Sequence, residues 1–228
     1  MSQSPRHLLF DLDGTLVDSA PVIVAILNDM LWERGSSRRM NVRKIRPWLS
    51  WGGPALIAAV LKVEGDAVTT ELAEFRKRYA ARKTPAECVF ADVREGVGEL
   101  AALGFSLAIC SNKPQYLCEK VLDDVGIARH FSAVIGSRPE LKQKPAPDLV
   151  QLALEEVGAE ASQAFMIGDS DVDHAAAEAA GVAFRLLDHG YAPEDWDTSG
   201  LVRFATFIEL VDALKLEQPP IPPLHKAA

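Results

Sequence analysis

The chain has 228 residues, 48% hydrophobic and 25% charged, with 32 Asp+Glu against 24 Lys+Arg and a net charge of -8. That length carries one or two domains with a sizeable core, and the acidic balance disfavours nonspecific grip on nucleic acid or an anionic membrane. Three cysteines without a C-x-x-C pair argue against a disulfide framework and for a reducing cytoplasm, and no apolar run reaches the roughly 18 residues of a membrane helix.

The N-terminal MSQSPRH leads straight into a strand-like run, with no signal-peptide core before it. That first run is HLLFD (7–11). Residues 20–83 then show helical patterns and no strand. PVIVAILNDMLWERG (21–35) reads as a helix with Pro21 in its first turn, and GPALIAAVLKVEG (53–65) and DAVTTELAEFRKRYAARK (66–83) read as two more. Asp18 and Ser19 are read as caps of the first helix. Helix-rich inserts after a catalytic strand often serve as lids.

Strands and helices alternate from there on. FSLAICS (105–111), SAVIG (132–136), AFMIGD (164–169) and VAFRLL (182–187) are near-continuously apolar, the pattern of strands covered on both faces. Between them, 93–103, 115–125, 149–157 and 172–180 carry helical spacing and are followed by Gly104, Gly126, Gly158 and Gly181 as C-caps. The expected fold class is α/β, a doubly wound parallel sheet with a Rossmann-like core and a small all-helical cap inserted after the first strand. The expected domains are a core of 1–19 and 84–216, a cap of 20–83, and a Pro-rich tail of 217–228 that is extended or disordered.

Ligands of such sheets bind outside the carboxyl ends of the strands. The first strand ends at Asp11, the second at Ser111 and Asn112, the third is followed by Lys144, and the fourth ends at Asp169. These groups converge on one edge. Asp11 and Asp13 crowd each other and precede the helix by too much to cap it. Carboxylates so close repel strongly in a partly dry site unless a cation intervenes. Oxygen ligands without His or Cys point to Mg2+ rather than zinc.

The roles follow from that. Asp11 attacks phosphorus as a carboxylate, and Asp13 protonates the leaving alkoxide and later deprotonates water. Ser111 and Asn112 donate to phosphoryl oxygens, together with Gly14 and Thr15 beside the acids. Lys144 supplies positive charge. Asp169 ligates the metal, and Asp173, one helical turn on, supports Asp169 or Lys144.

DLDGTLVDS (11–19), SNK (111–113), KPAPD (144–148) and GDSDVD (168–173) resemble, in order and spacing, the four motifs of the haloacid dehalogenase superfamily. SNKP, KPAPD and LDHGYAP near Gly190 most resemble its phosphoglycolate phosphatase branch. The resemblance implies that Asp11 is the nucleophile and that Asp13 is the acid/base, whose backbone carbonyl also ligates Mg2+. It implies that Asp169 completes the metal set of Asp11, Asp13 and Asp169, and that five or six strands form the core under a mobile cap. The implied partner is a small phosphorylated metabolite.

Some features depart from that pattern or lie beside it. Asp171 is an extra acid, read as a helix N-terminal charge met by the dipole, with a third acid near the metal as the alternative. IRPWLSWGGPALI (45–57) stands where the branch has a glycine-containing substrate loop, and Arg46, Trp51 and Gly52 are its candidate specificity residues. Trp48 and Trp51 are expected to pack within the cap, with narrowing of the pocket or stacking on a larger organic group of the substrate as the alternative. His174 is read as a cap or an exposed residue, and Cys110 as a small hydrophobe. EFRKRYAARK (74–83) is read as a solvated basic face, with attraction of an anionic substrate toward the opening as the alternative. The expected function is Mg2+-dependent hydrolysis of a phosphoglycolate-like or sugar phosphate monoester through an aspartyl phosphate. The rivals are a phosphomutase of the β-phosphoglucomutase type and a phosphoacceptor signalling module.

Overall fold

The computed structural model describes residues 6–49 and 51–217. Its centre is a parallel six-stranded sheet of β1 (His7–Phe10), β2 (Ser106–Pro114), β3 (Ala133–Ser137), β4 (Ala164–Gly168), β5 (Ala183–Leu187) and β6 (Arg203–Phe204), in the order β3-β2-β1-β4-β5-β6. Alternate residues of the central strands enter different cores. Leu8, Phe10, Leu107, Ile109, Phe165 and Ile167 join one hydrophobic cluster. Leu9, Ala108, Cys110, Ala164 and Met166 join the other. A strand covered on both faces has no polar side, which is why these runs are continuously apolar.

The first cluster is closed by α5 (Val93–Ala102), α6 (Gln115–Val125) and α9 (Phe207–Glu217), and the second by α7 (Asp148–Val157) and α8 (Asp171–Ala180). Gly126, Gly158 and Gly181 end α6, α7 and α8 in the left-handed conformation. β1 is flanked by β2 and β4, so the chain winds one way from β1 through β3 and the other way from β4. The crevice for a ligand opens at that reversal, beyond the end of β1.

Between β1 and α5 lie four further helices: α1 (Ala20–Glu33), α2 (Val42–Leu49), α3 (Gly53–Leu61) and α4 (Asp66–Ala81). Their apolar faces meet through Ile26, Leu27, Ile45, Ile57, Leu72 and Phe75. The chain leaves and re-enters the sheet side by side. Asp18 N–H donates to the Cys88 carbonyl at 2.7 Å and Phe90 N–H to the Leu16 carbonyl at 3.1 Å.

Several sequence expectations are corrected. α2 occupies much of the stretch read as a glycine loop. Its apolar residues Val42, Ile45, Trp48 and Leu49 have helical spacing, but the helix is only eight residues long and Pro47 falls inside it, where proline ordinarily marks a break. Trp48 packs against the core, whereas Trp51 is 68% exposed, because it falls in the turn after the apolar stripe of α2 has ended. β2 runs three residues past Ser111, regaining its pairing with β3 at Pro114 after a register shift. β6 is two residues long, and α9 was not anticipated. Ser19 makes no capping bond and its hydroxyl is buried without a partner among the described residues. Asp18 instead accepts the Ala20 N–H at 3.3 Å. His174 packs between the Phe184 and Trp196 rings. In the basic stretch, Arg78 pairs with Glu33 and Glu74, and Arg82 with Asp29, tying α4 to α1. Glu217 closes α9, and the Pro-rich segment from residue 218 lies outside the described residues.

Candidate active site

Asp11 follows β1 directly, and its N–H donates to the Ile167 carbonyl of β4 at 2.9 Å. The strand therefore delivers its carboxylate to the crevice. Asp11, Asp13, Ser111, Lys113, Lys144 and Asp169 line one cavity there, roofed by side chains of α1 to α4.

Lys144 is the hub. Its Nζ donates to Oδ1 of Asp11 at 2.8 Å, to the Cys110 carbonyl at 2.8 Å and to Oδ1 of Asp173 at 2.5 Å. Its side chain is 2% exposed. Burial opposes its charge, but Asp11 and then Asp173 outweigh it and hold the ammonium above its ordinary range. Burial pushes the Asp11 carboxyl up to about 6, with Lys144 pulling against the rise and Asp173 adding to it.

Asp169 is gripped from three sides. Oδ1 accepts the Thr15 hydroxyl at 2.9 Å, and Oδ2 accepts the Tyr191 N–H at 2.5 Å. Gly14 and Gly190 press against the carboxylate so closely that a Cβ on either would overlap it. Burial raises this acid well above the usual carboxylate range, and Asp173 and Asp11 raise it further. Asp173 sits behind it. Ser170, the N-cap of α8, donates its hydroxyl to Oδ2 of Asp173 at 2.7 Å, and the Asp169 N–H reaches the same oxygen at 3.3 Å.

Oxygens of Asp11, Asp169 and Asp173 lie within 4.8 Å of one another. Three buried acids against one lysine leave net negative charge, which a hard cation would relieve. All three already accept hydrogen bonds: Asp173 from Lys144 and Ser170, Asp11 from Lys144, and Asp169 from Thr15 and the Tyr191 N–H.

Other expected site residues are placed differently. The Thr15 hydroxyl is spent on Asp169, and the Gly14 N–H on the Val17 carbonyl. The Asn112 side-chain amide donates to the Lys144 carbonyl at 2.9 Å and its oxygen accepts the Lys144 N–H at 2.7 Å, so it clamps the lysine loop. Arg46 donates to the Gly190 carbonyl at 2.8 Å, whereas Gly52 lines the cavity. Asp171 opens α8, and its Oδ1 is buried without a partner among the described residues. Sequence reasoning missed Lys113 and Tyr191, and it marked Arg76 only as part of a basic face able to draw in an anionic substrate. Lys113 Nζ lies 2.6 Å from Oδ2 of Asp13, and Asp13, followed by Tyr79, holds its ammonium above the ordinary range against burial. Tyr191 was visible only as part of LDHGYAP.

Residues 8–186 match the family model of the haloacid dehalogenase-like hydrolases. The chain belongs to this family. It is 36% identical over 194 residues to a phosphoglycolate phosphatase of Pseudomonas savastanoi, covering 82% of this chain and 71% of that one. It is 32% identical over 225 residues to a phosphoglycolate phosphatase of Rhodospirillum rubrum, covering 94% and 93%. A crystal structure of a predicted phosphoglycolate phosphatase from Haemophilus somnus superposes with a TM-score of 0.80 at 25% identity, over 94% of this chain and 98% of that one. As a haloacid dehalogenase-like hydrolase with these relatives, the protein is a phosphoric monoester hydrolase. Among the described residues no helix is long and apolar enough to cross a membrane.

Proposed function

We propose that the enzyme hydrolyses phosphoglycolate, or a closely similar small phosphate monoester, through a phosphoryl group carried on Asp11. The observation that carries this reading is the Asp11 carboxylate at the end of β1, held by Lys144 and flanked by Asp13 in one cavity. An oxygen of Asp11 attacks phosphorus and the ester P–O bond breaks. Asp13 gives its proton to the departing alkoxide. Water then attacks the phosphorus, Asp13 takes its proton, and the P–O bond to Asp11 breaks to release phosphate. Lys144 keeps Asp11 aimed, and the Ser111 hydroxyl donates to a phosphoryl oxygen.

Asp11, Asp169 and the backbone carbonyl of Asp13 would hold Mg2+. Bound there, the ion would neutralise charge on the phosphoryl oxygens. The all-oxygen donor set and the excess of buried acid support this choice.

The helices between residues 20 and 83 act as a cap in this reading. Their contribution to the cavity is mostly apolar, through Ile23, Leu56, Leu72 and Phe75. Arg76 also lines it and has no ion-pair partner among the described residues, which suits a substrate with a second anionic group. The three cysteines are free and buried, in keeping with a cytoplasmic, reducing environment.

Phosphate release from a panel of phosphorylated metabolites, with and without Mg2+, tests the reading. Phosphoglycolate is expected to lead the panel, and Asp11→Asn to abolish turnover. Isomer formation from a sugar phosphate with a bisphosphate primer, in place of phosphate release, would overturn it.

A further inference from the structure

Lys113 stands in the SNK stretch yet has no part in the reaction just described. Its side chain is 7% exposed, and its Nζ lies 2.6 Å from Oδ2 of Asp13. On its other side the ammonium sits 4.4 Å from the centroid of the Tyr79 ring. Tyr79 belongs to α4, in the helical insert, and is 1% exposed. The cation lies over the face of the ring. Lys113 thus pins one oxygen of the Asp13 carboxylate, while the other, Oδ1, is buried and takes no hydrogen bond among the described residues.

We infer that Lys113 is the positioning residue of Asp13, and that Tyr79 completes the arrangement, so that the acid is aligned only when the helical insert is seated on the core. Pinning Oδ2 fixes the side-chain rotation and presents Oδ1 for proton transfer. Withdrawing α4 removes the ring from the ammonium, and with it one of the two groups that hold the lysine. This makes the acid/base sensitive to cap position through a contact between side chains, with no backbone change in the sheet. The inference rests on the proposed role of Asp13 as acid/base.

The test separates proton transfer from general damage by varying the leaving group. With enzyme in excess and Mg2+ present, release of the alcohol is followed from an alkyl phosphate, which needs a proton on its leaving oxygen, and from p-nitrophenyl phosphate, which does not. General acid catalysis contributes about 10²- to 10⁴-fold. Lys113→Met is expected to lose roughly ten- to a hundredfold of this with the alkyl ester and several-fold less with the p-nitrophenyl ester. Lys113→Arg recovers part of the loss. Tyr79→Leu shows the same bias on a smaller scale, and Tyr79→Phe keeps most of the rate that Tyr79→Leu loses. The Tyr79 pair leaves Lys113 in place and carries the test if Lys113→Met does not fold.

Equal slowing of both esters in Lys113→Met, or equal loss in Tyr79→Phe and Tyr79→Leu, would overturn the inference. Asp13→Asn distinguishes the two levels. If Asp13→Asn is leaving-group dependent and Lys113→Met is not, the inference alone fails. If Asp13→Asn shows no such dependence, the acid role of Asp13 falls and the inference with it.

Discussion

The ammonium of Lys144 lies 2.8 Å from Oδ1 of Asp11, across 133 residues of chain. Two further acceptors, the Cys110 carbonyl and Asp173, complete its set of three. Removing the lysine leaves two buried carboxylates without their counter-charge. Breaking a buried pair from one side costs about 3–5 kcal/mol. Lys144→Met is therefore expected to lower the melting temperature by roughly 10 °C, at about 2–4 °C per kcal/mol for a protein of this size, and to abolish phosphate release. Lys144→Arg does not restore activity, because a flat guanidinium cannot offer three donors from one atom. Thermal unfolding and a phosphate assay check both statements.

Gly190 packs so closely on Asp169 that an added Cβ would lie within the carboxylate. Gly190→Ala must displace either Asp169 or the loop that carries the Tyr191 N–H. Loss of such supporting contacts typically weakens metal binding 10–100-fold. Titration calorimetry with Mg2+ alone is expected to show a weakening of about that size. Gly98→Ala is the control, since its Cβ meets only the His130 ring, at 3.4 Å. Equal Mg2+ affinity in Gly190→Ala and wild type would refute the account.

Thr15 tests the same carboxylate from its other oxygen. Its hydroxyl is buried and donates to Oδ1 of Asp169 at 2.9 Å. Thr15→Val keeps the shape and deletes the donor. Ligand binding stabilises the folded state in proportion to the logarithm of occupancy, by about 2.7 kcal/mol at a hundred times Kd. The expected result is a smaller rise in melting temperature on adding Mg2+ than in wild type, and none in Asp169→Asn. A full rise in Asp169→Asn would remove that residue from the metal set.

Sheet chemistry was legible in the sequence because both faces of β1, β2 and β4 are buried and polar residues punctuate their ends. Asp11, Ser111, Lys144 and Asp169 could be drawn to one edge by topology alone. Side-chain direction could not be read that way. Asn112 turns back to the Lys144 backbone, Thr15 turns to Asp169, and Ser19 caps nothing. The insert was read least well. α2 is eight residues long and carries a proline in its second turn, which reads as a break although Val42, Ile45, Trp48 and Leu49 keep helical spacing. Lys113 and Tyr79 are 34 positions apart and lie on different layers, and no local pattern links them.

Two arginines of the insert make opposite predictions. Arg46 donates to the Gly190 carbonyl at 2.8 Å, one residue before the Tyr191 N–H that binds Asp169. It touches the core, so its loss acts on the site without touching substrate. Arg46→Met is expected to lower kcat/KM by a similar factor for phosphoglycolate and for ethyl phosphate, which lacks the carboxylate. Arg76 lines the cavity instead. A hydrogen bond to a charged group contributes about 1.5–3 kcal/mol, roughly ten- to a hundredfold in binding. Arg76→Ala should raise KM for phosphoglycolate by about that factor and leave ethyl phosphate nearly unchanged, so the two substrates move together in one variant and apart in the other. Steady-state kinetics with both esters measures this. If Arg76→Ala affected them equally, the second anionic group of the substrate would have to be met elsewhere in the cavity.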